Sequence, residues 1–405
     1  MSVSSHTAVA KPPRLAIVVS HPTQYYSPWF RWLQQRHGVE LRVFYLWDAG
    51  VKPTRDPHFE RTFAWDVDLL SGYDHEFVPN TSPEPTTERF SGLKNPGLTR
   101  RLSRWKPDAI LLFGYAYHSH LRVLLWAWRT RTPVLFRGDS HVLGRTLPGG
   151  LRGKAMRAVF RRFAGVTFVG KANREYFLAL GVPEARLFFA PHSVDHQLFD
   201  PDLPEHRQRA AALRTQLGIA ADATVVLFAG KLIPSKQPRT LLNAFIELAP
   251  ENTVLVFVGD GEEKAALQAR ATTAKRVEKT VFFVPFTNQS DMPSRYLLAS
   301  LFVLPSRGLY ETWGLAVNEA MQMGVPCLVS DRVGCQQDLV TDGETGWVFP
   351  AEDGTALRNT LARALRDLAT RGEEIRQAVR QRISLYSYEH ASAGLQLALA
   401  AALHR

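Results

Sequence analysis

The chain has 405 residues, 45% of them hydrophobic and 21% charged, and carries a formal net charge of +11. That length exceeds what one core normally serves, so two domains of about 200 residues are expected. The longest apolar runs, such as residues 109–117, fall well short of the roughly 20 residues that a bilayer-spanning helix needs.

The opening stretch MSVSSHTAVAKPPR has no long apolar core and reads as a short disordered lead-in rather than a secretory signal. Two cysteines, Cys327 and Cys335, exclude a disulfide framework and suit a reducing compartment. With no His or Cys cluster beside them, no metal site is expected, and the cytoplasm is the expected location. The charge is uneven: residues 1–200 hold 27 Lys and Arg against 16 Asp and Glu, whereas the remainder is balanced at 22 against 22.

In chain order, short apolar strands alternate with longer helical patterns, the signature of parallel βαβ construction. Leu15–Ser20 is a buried strand, with a helix starting near Pro28-Trp29, and Leu41–Leu46 is a second strand. Residues 48–95 are rich in Pro, Asp, Thr and Ser and read as a long irregular insertion. Ala109–Phe113, Pro133–Phe136 and Gly165–Val169 follow as strands with helices between them. One of these helices, around residues 151–163, places Leu151, Ala155, Val159 and Phe163 at helical spacing among Arg and Lys. Such a face either packs on the core or lies against an anionic membrane surface.

Asp200–Pro204 and a charged helix to about Leu217 form a linker, after which the pattern restarts. Ala223–Ala229, Thr253–Val258, Val281–Val284, Leu301–Leu304 and Pro326–Ser330 are strands, with a helix over Gln237–Leu248. A final helix, Tyr386–His404, is expected to cross back onto the first half. Two successive α/β units imply two Rossmann-like domains facing a central cleft: residues 1–200 with 386–405, and residues 201–385.

The densest chemical signal is Ser306-Arg-Gly-Leu-Tyr-Glu311-Thr-Trp-Gly314-Leu-Ala-Val-Asn-Glu319-Ala-Met-Gln-Met-Gly324. A helix starting near Gly314 would aim free backbone N–H groups and a partial positive charge at an anion beside Glu311. Glu311 and Glu319 could each accept hydrogen bonds from a polyol, and a phosphate flanked by two polyols describes a nucleotide sugar. The bland alternative is a capping Glu followed by a solvated one.

Phe228-Ala-Gly230-Lys231-Leu-Ile-Pro-Ser-Lys236, at the end of the preceding unit's strand, supplies two cations suited to a diphosphate. Gly259-Asp-Gly261 looks like a weak phosphate loop.

These segments resemble family 4 glycosyltransferases. The first matches their E-x7-E signature, with Trp313 for the usual Phe and Cys327 for a usual Val. The second matches G-R-L-x-x-x-K-G, with Lys231 for Arg and Gln237 for Gly. Pro191-His-Ser-Val-Asp195 resembles P-N-G-V-D, with His192 and Ser193 substituted. In the family, the glycines equivalent to Gly259 and Gly261 mostly let strand and helix pack closely.

The resemblance implies a GT-B fold and transfer of a hexose from a UDP- or GDP-sugar, with retention and without a metal or other cofactor. The acceptor would be a glycan, a lipid-linked or a small molecule. It implies Glu311, Lys236, Lys231 and His118 as catalytic. Donor binding falls to Gly230, Phe286, Thr312, Trp313, Gly314, Leu315 and Glu319. Glu311 would hold the transferred sugar and Glu319 the ribose. The backbone of Phe283–Phe286 would meet the base, and His118 would lie beside the sugar.

On the acceptor side, His21, Gln24 and Tyr25 follow the first strand in place of the family's common Gly-Gly, and Arg137 and Asp139 end another strand. A GT-B-like epimerase or phosphorylase would need further acid/base groups or a Schiff-base lysine. A nucleic-acid binder would need stacking platforms that the sequence lacks, so no nucleic-acid partner is expected. Peripheral contact with the inner membrane face, through the basic half, is an open expectation.

Overall fold

Strands this apolar need cover on both faces, and the chain satisfies them by winding two parallel sheets between layers of helices. The computed structural model describes residues 11–404, apart from 37, 57–60, 145, 276, 278 and 308–310; the lead-in before residue 11 therefore lies outside the described residues. The strands of the first half are β1 (Arg14–Val19), β2 (Glu40–Tyr45), β3 (Thr54–Asp56), β4 (Arg61–Phe63), β5 (His75–Phe77), β6 (Ala109–Phe113), β7 (Val134–Arg137), β8 (Gly165–Phe168) and β9 (Leu187–Phe189). Seven of them pair in the order β5-β2-β1-β6-β7-β8-β9, and β3 and β4 form a separate antiparallel hairpin. The insertion over residues 48–95 is thus more ordered than its composition suggests. It supplies an edge strand, β5, and the hairpin.

In the second half lie β10 (Thr224–Ala229), β11 (Thr253–Val258), β12 (Val281–Val284), β13 (Leu301–Leu304), β14 (Cys327–Ser330) and β15 (Gly346–Phe349). Their order is β12-β11-β10-β13-β14-β15. β9 and β15 went unpredicted because each is a three- or four-residue run with no alternation to mark it. Each sheet runs outward one way from its first strand and then the other. The winding therefore reverses between β1 and β6 and between β10 and β13, where ligands bind in such sheets.

Along β1, Leu15, Ile17 and Val19 face one core and Ala16 and Val18 the other, as the two-residue pleat requires. The last helix, Tyr388–Leu403, supplies the cover for the first of these cores. It lays Ala391, Leu395, Ala398 and Leu399 against Leu15, Ile17 and Leu111. Trp29 Nε1 donates to Ser392 Oγ at 3.1 Å, and a Cβ on Gly394 would sit 1.7 Å from Phe189 O, so only glycine lets this helix settle on β9. The chain reaches this helix through a long one, Gly354–Ile383, kinked at Arg371.

The basic segment forms a helix over Gly150–Phe160, so Phe163 lies beyond its end. Phe160 and Phe163 are buried, but Leu151 is 85% exposed and Ala155 is exposed too. The predicted apolar stripe is therefore core-facing only at its C-terminal end.

Candidate active site

β10 ends at Ala229, and the chain leaves the sheet through Gly230 and Lys231 into the turn Pro234–Lys236. A Cβ at Gly259 would lie 2.1 Å from Gly230 O, and one at Gly261 would lie 2.6 Å from Leu232 O. The Gly-Asp-Gly segment is accordingly a packing device against this loop. Asp260, between the two glycines, accepts from the Phe286 amide at 2.9 Å and pairs with Lys264. That amide is therefore already engaged within the protein.

Gln237 explains how a non-glycine residue fills a glycine position. Its backbone is left-handed at φ 55°, a strained conformation that its amide offsets by donating to Pro305 O at 3.0 Å and Ala351 O at 2.8 Å.

β13 leads to Glu311 by way of Ser306. Gly314, at φ 96°, precedes the helix Leu315–Gln322, whose N-terminus no side chain caps. The positive end of this helix opens on a cavity of about 1070 Å³ between the domains. Lys236 Nζ donates to Glu311 Oε2, and both side chains are largely sheltered, 25% and 11% exposed. Cation, carboxylate and helix terminus are thereby brought to one end of the cavity. Gly230, Lys231, Phe286, Thr312, Trp313, Gly314, Leu315 and Glu319 also line it.

Trp313 in the Phe position is buried, and its indole N–H is met by Asn318 Oδ1 at 2.7 Å. Glu319 accepts from Tyr25 Oη at 3.1 Å, Gln289 Nε2 at 2.9 Å and Tyr296 Oη at 2.7 Å. Burial pushes its carboxyl above the ordinary range despite these three donors.

From the first domain, Gln24, Tyr25 and Asp139 line the cavity. Asp139 Oδ2 accepts from Thr312 Oγ1 at 2.8 Å and lies 3.5 Å from His192 Nε2. Burial pushes the Asp139 carboxyl up, but the neighbouring His192 ring and the Thr312 hydroxyl outweigh it and hold it below the carboxylate range. His141, beside it in sequence, accepts from the Leu143 amide at Nδ1. Its Nε2–H therefore donates to Glu311 O at 3.3 Å.

Three expected residues are not on the wall. His118 starts the helix His118–Thr130 and packs edge-on against Phe90. The turn after β6 directs it away, and its ring supports the 86–90 loop, of which Thr87 and Glu88 reach the cavity. His21 turns back under the loop against Trp47 and Ser20, where burial lowers its pKa to about 4. Arg137 is sealed over Trp29, 4.7 Å from its ring centre, and donates to Ala190 O and Pro191 O. Its long side chain is drawn inward by those carbonyls instead of toward the cleft.

The wall also holds groups that the sequence did not flag: Trp65, Thr87, Glu88, Ser235, Gln289, Met292 and Tyr296. Trp65 could have been suspected as the one tryptophan within residues 48–95. Among the described residues no three His, Cys, Asp or Glu side chains are grouped as a shared metal ion would require. No helix among them is long and apolar enough to cross a membrane.

Residues 210–382 match the family of glycosyl transferases group 1. Among curated proteins, the chain is 32% identical over 220 residues to a GDP-mannose-dependent alpha-(1-6)-phosphatidylinositol monomannoside mannosyltransferase of Mycolicibacterium smegmatis, covering 53% of this chain and 56% of that protein. It is 29% identical over 228 residues to a D-inositol 3-phosphate glycosyltransferase of Jonesia denitrificans, covering 54% and 52%. The chain thus spans about half the length of these curated relatives. Among solved structures, Alr3699/HepE of Anabaena in complex with UDP superposes with a TM-score of 0.70 at 18% identity, over 95% of this chain and 98% of that one. The shared architecture is the two-domain GT-B arrangement.

Proposed function

Because residues 210–382 belong to the group 1 glycosyl transferases, we propose that the protein moves a hexose from a nucleotide diphosphate sugar to a hydroxyl acceptor. The observation that carries this reading is the Lys236–Glu311 pair set against the uncapped helix terminus at Gly314. Donor, sugar and acceptor would then meet in one enclosed space. The relatives named above support the transferase reading over the epimerase and nucleic-acid readings.

In this scheme the diphosphate lies between Lys231, Lys236 and the first amides of the helix Leu315–Gln322. These groups are in place before the reaction and stabilise the charge that develops on the leaving diphosphate. Glu311 holds hydroxyls of the transferred sugar while its partner Lys236 leans to the phosphate. Glu319 takes the ribose, with Thr312 and Trp313 shaping the sugar pocket. Retention through front-face attack, with a diphosphate oxygen accepting the acceptor's proton, is the course that the resemblance implies.

Gln24, Tyr25 and Asp139 present the acceptor, a glycan, a lipid-linked or a small molecule. His21 and Arg137 hold that wall from behind. We take the acceptor domain as residues 1–200 with 386–405 and the donor domain as 201–385. A cytoplasmic location at the membrane face is supported by the exposed Leu151 beside Arg152 and Lys154, and sedimentation with anionic vesicles tests it.

A thermal-shift panel with UDP, GDP and ADP tests the donor reading. A ligand at 100 times its dissociation constant adds about 2.7 kcal/mol, a clear rise in melting temperature. If none of the three raises it, the reading fails.

A further inference from the structure

One wall of the cavity is lent by the first domain from outside its sheet. Trp65 follows the hairpin β3–β4 and lines the same space as Phe286, Thr287, Gln289 and Met292. It is fastened from both sides. Phe63, two residues earlier, packs on Phe286 with ring centres 4.8 Å apart and meets Trp65 edge-on at 5.2 Å. Ala64 O accepts from Asn288 Nδ2 at 2.8 Å. On the other side, Asp66 Oδ1 accepts from the Ser290 amide at 3.0 Å, and Oδ2 accepts from the Ser290 hydroxyl.

The indole also has a fitted seat. Its own backbone N–H donates to Gly50 O at 3.0 Å, and Gly50 adopts φ 86°. A Cβ there would lie 3.0 Å from Trp65 Cδ1 and from Pro22 O, so glycine is what lets the loop pass beneath the ring. Phe63, Ala64 and Asp66 of one domain are thus anchored to residues 286–290 of the other, with the ring of Trp65 held at the cavity wall between the anchors. A loose surface tryptophan would show neither the anchors nor the seat.

We propose that Trp65 provides the face on which the donor's nucleobase lies, and that the docking of residues 63–66 onto 286–290 completes the base site across the domain boundary. This rests on the reading of the cavity as a nucleotide-sugar site. Every nucleobase has a π-face, so such a contact adds affinity without selecting the base. Selection between uracil and a purine is left to the second-domain groups around Thr287 and Gln289.

The test is calorimetric titration of the full chain with UDP, GDP and ADP and, in parallel, with inorganic pyrophosphate. Base stacking by an aromatic side chain is lost on alanine substitution, so Trp65→Ala should weaken the best-bound nucleotide about tenfold or more. Pyrophosphate binding should hold within about twofold of wild type by the same reasoning, since it offers no ring to stack. Trp65→Phe should keep most of the affinity. Asp66→Ala, which frees the anchor without entering the cavity, should weaken the nucleotide severalfold and leave pyrophosphate alone.

Nucleotide binding by Trp65→Ala within twofold of wild type overturns the proposal. So does an equal loss of nucleotide and pyrophosphate, which would mark Trp65 as a structural support only. If the wild-type chain binds pyrophosphate but none of the three nucleotides, the donor reading itself falls, a result distinct from failure of the Trp65 contact alone.

Discussion

The second domain approaches the cavity with residues that directly follow β10 and β13, Gly230–Lys236 and Glu311–Glu319, on either side of the point where its sheet reverses direction. The first domain approaches it with Gln24 and Tyr25 after β1 and Asp139 after β7. It adds Trp65, Thr87 and Glu88 from the long excursion between β2 and β6. One wall is built from neighbouring strand ends, the other partly from loops that must travel. Side chains at neighbouring strand ends are positioned by the sheet itself, whereas the travelling loops depend on contacts with the opposite domain. The cross-domain bonds from the Ser290 amide to Asp66 and from Asn288 Nδ2 to Ala64 O are such contacts.

The sharpest way to break this contrast is to disable the strand-end wall. Lys236→Ala and Glu311→Gln should each lower kcat by about 100-fold or more, as removal of a preorganised charge partner does elsewhere. Circular dichroism should show the fold retained. Near-normal turnover in either variant would move the chemistry to the other wall.

Next in size is Gly334→Ala, because its Cβ would lie 1.9 Å from Thr312 O, the loop that carries Glu311. Backbone must shift, so a loss of about 2–4 kcal/mol is expected by denaturant unfolding. Gly149→Ala, at a first-domain loop position with open space around it, should change stability by less than about 0.5 kcal/mol.

The two domains should also respond to acid in opposite senses. In the first, burial lowers His21 to about 4 and His120 to about 3. These groups are neutral when folded and protonate readily when unfolded. Their contribution is therefore present above pH 6.5 and is lost as pH falls toward those values. His21→Gln should remove up to about 3 kcal/mol of that acid sensitivity, read as a shallower fall of melting temperature between pH 6.5 and 4.

Glu319, in the second domain, is raised by burial. Its contribution is full below its unfolded value of 4.5 and is lost as pH climbs through the raised value. Glu319→Gln should thus gain on wild type as pH rises across that window. Parallel behaviour of the two variants would erase the contrast.

A smaller loss is expected of Tyr25→Phe. It removes one of three donors to Glu319 and should cost about 1 kcal/mol by denaturant titration.

How much was legible follows the same division. Strands β10 to β13 end where apolar runs meet Gly or Pro. Lys231 and Lys236, and likewise Glu311 and Glu319, could be placed because each pair's spacing is local to its own strand-loop-helix unit. The engagement of the Phe286 amide by Asp260 was not legible, because it depends on how two strand ends lie in space. Nor was the offset of the left-handed backbone at Gln237, which requires two distant carbonyls.

In the first domain His118 carries the right type at the right strand end, yet a single turn directs it to Phe90. Arg137 fails for a related reason. A guanidinium looks like a ligand group in a sequence, but here it is stacked on Trp29 and bonded to main-chain carbonyls. Trp65 has no periodicity to announce it. Its place is decided by residues more than two hundred positions away.

The crossing of the last helix back to β9 bears on how the molecule is made. One flank of the first sheet stays open until residues 388–403 arrive, since Leu395, Ala398 and Leu399 fill the space beside Leu15 and Ile17. During synthesis the early strands therefore emerge without their final cover, while the later sheet can complete itself locally. Ordering of that flank must wait until the helix Tyr388–Leu403 has been made, and contacts of such long sequence separation form slowly. A nascent chain stalled short of residue 388 would present that flank to chaperones.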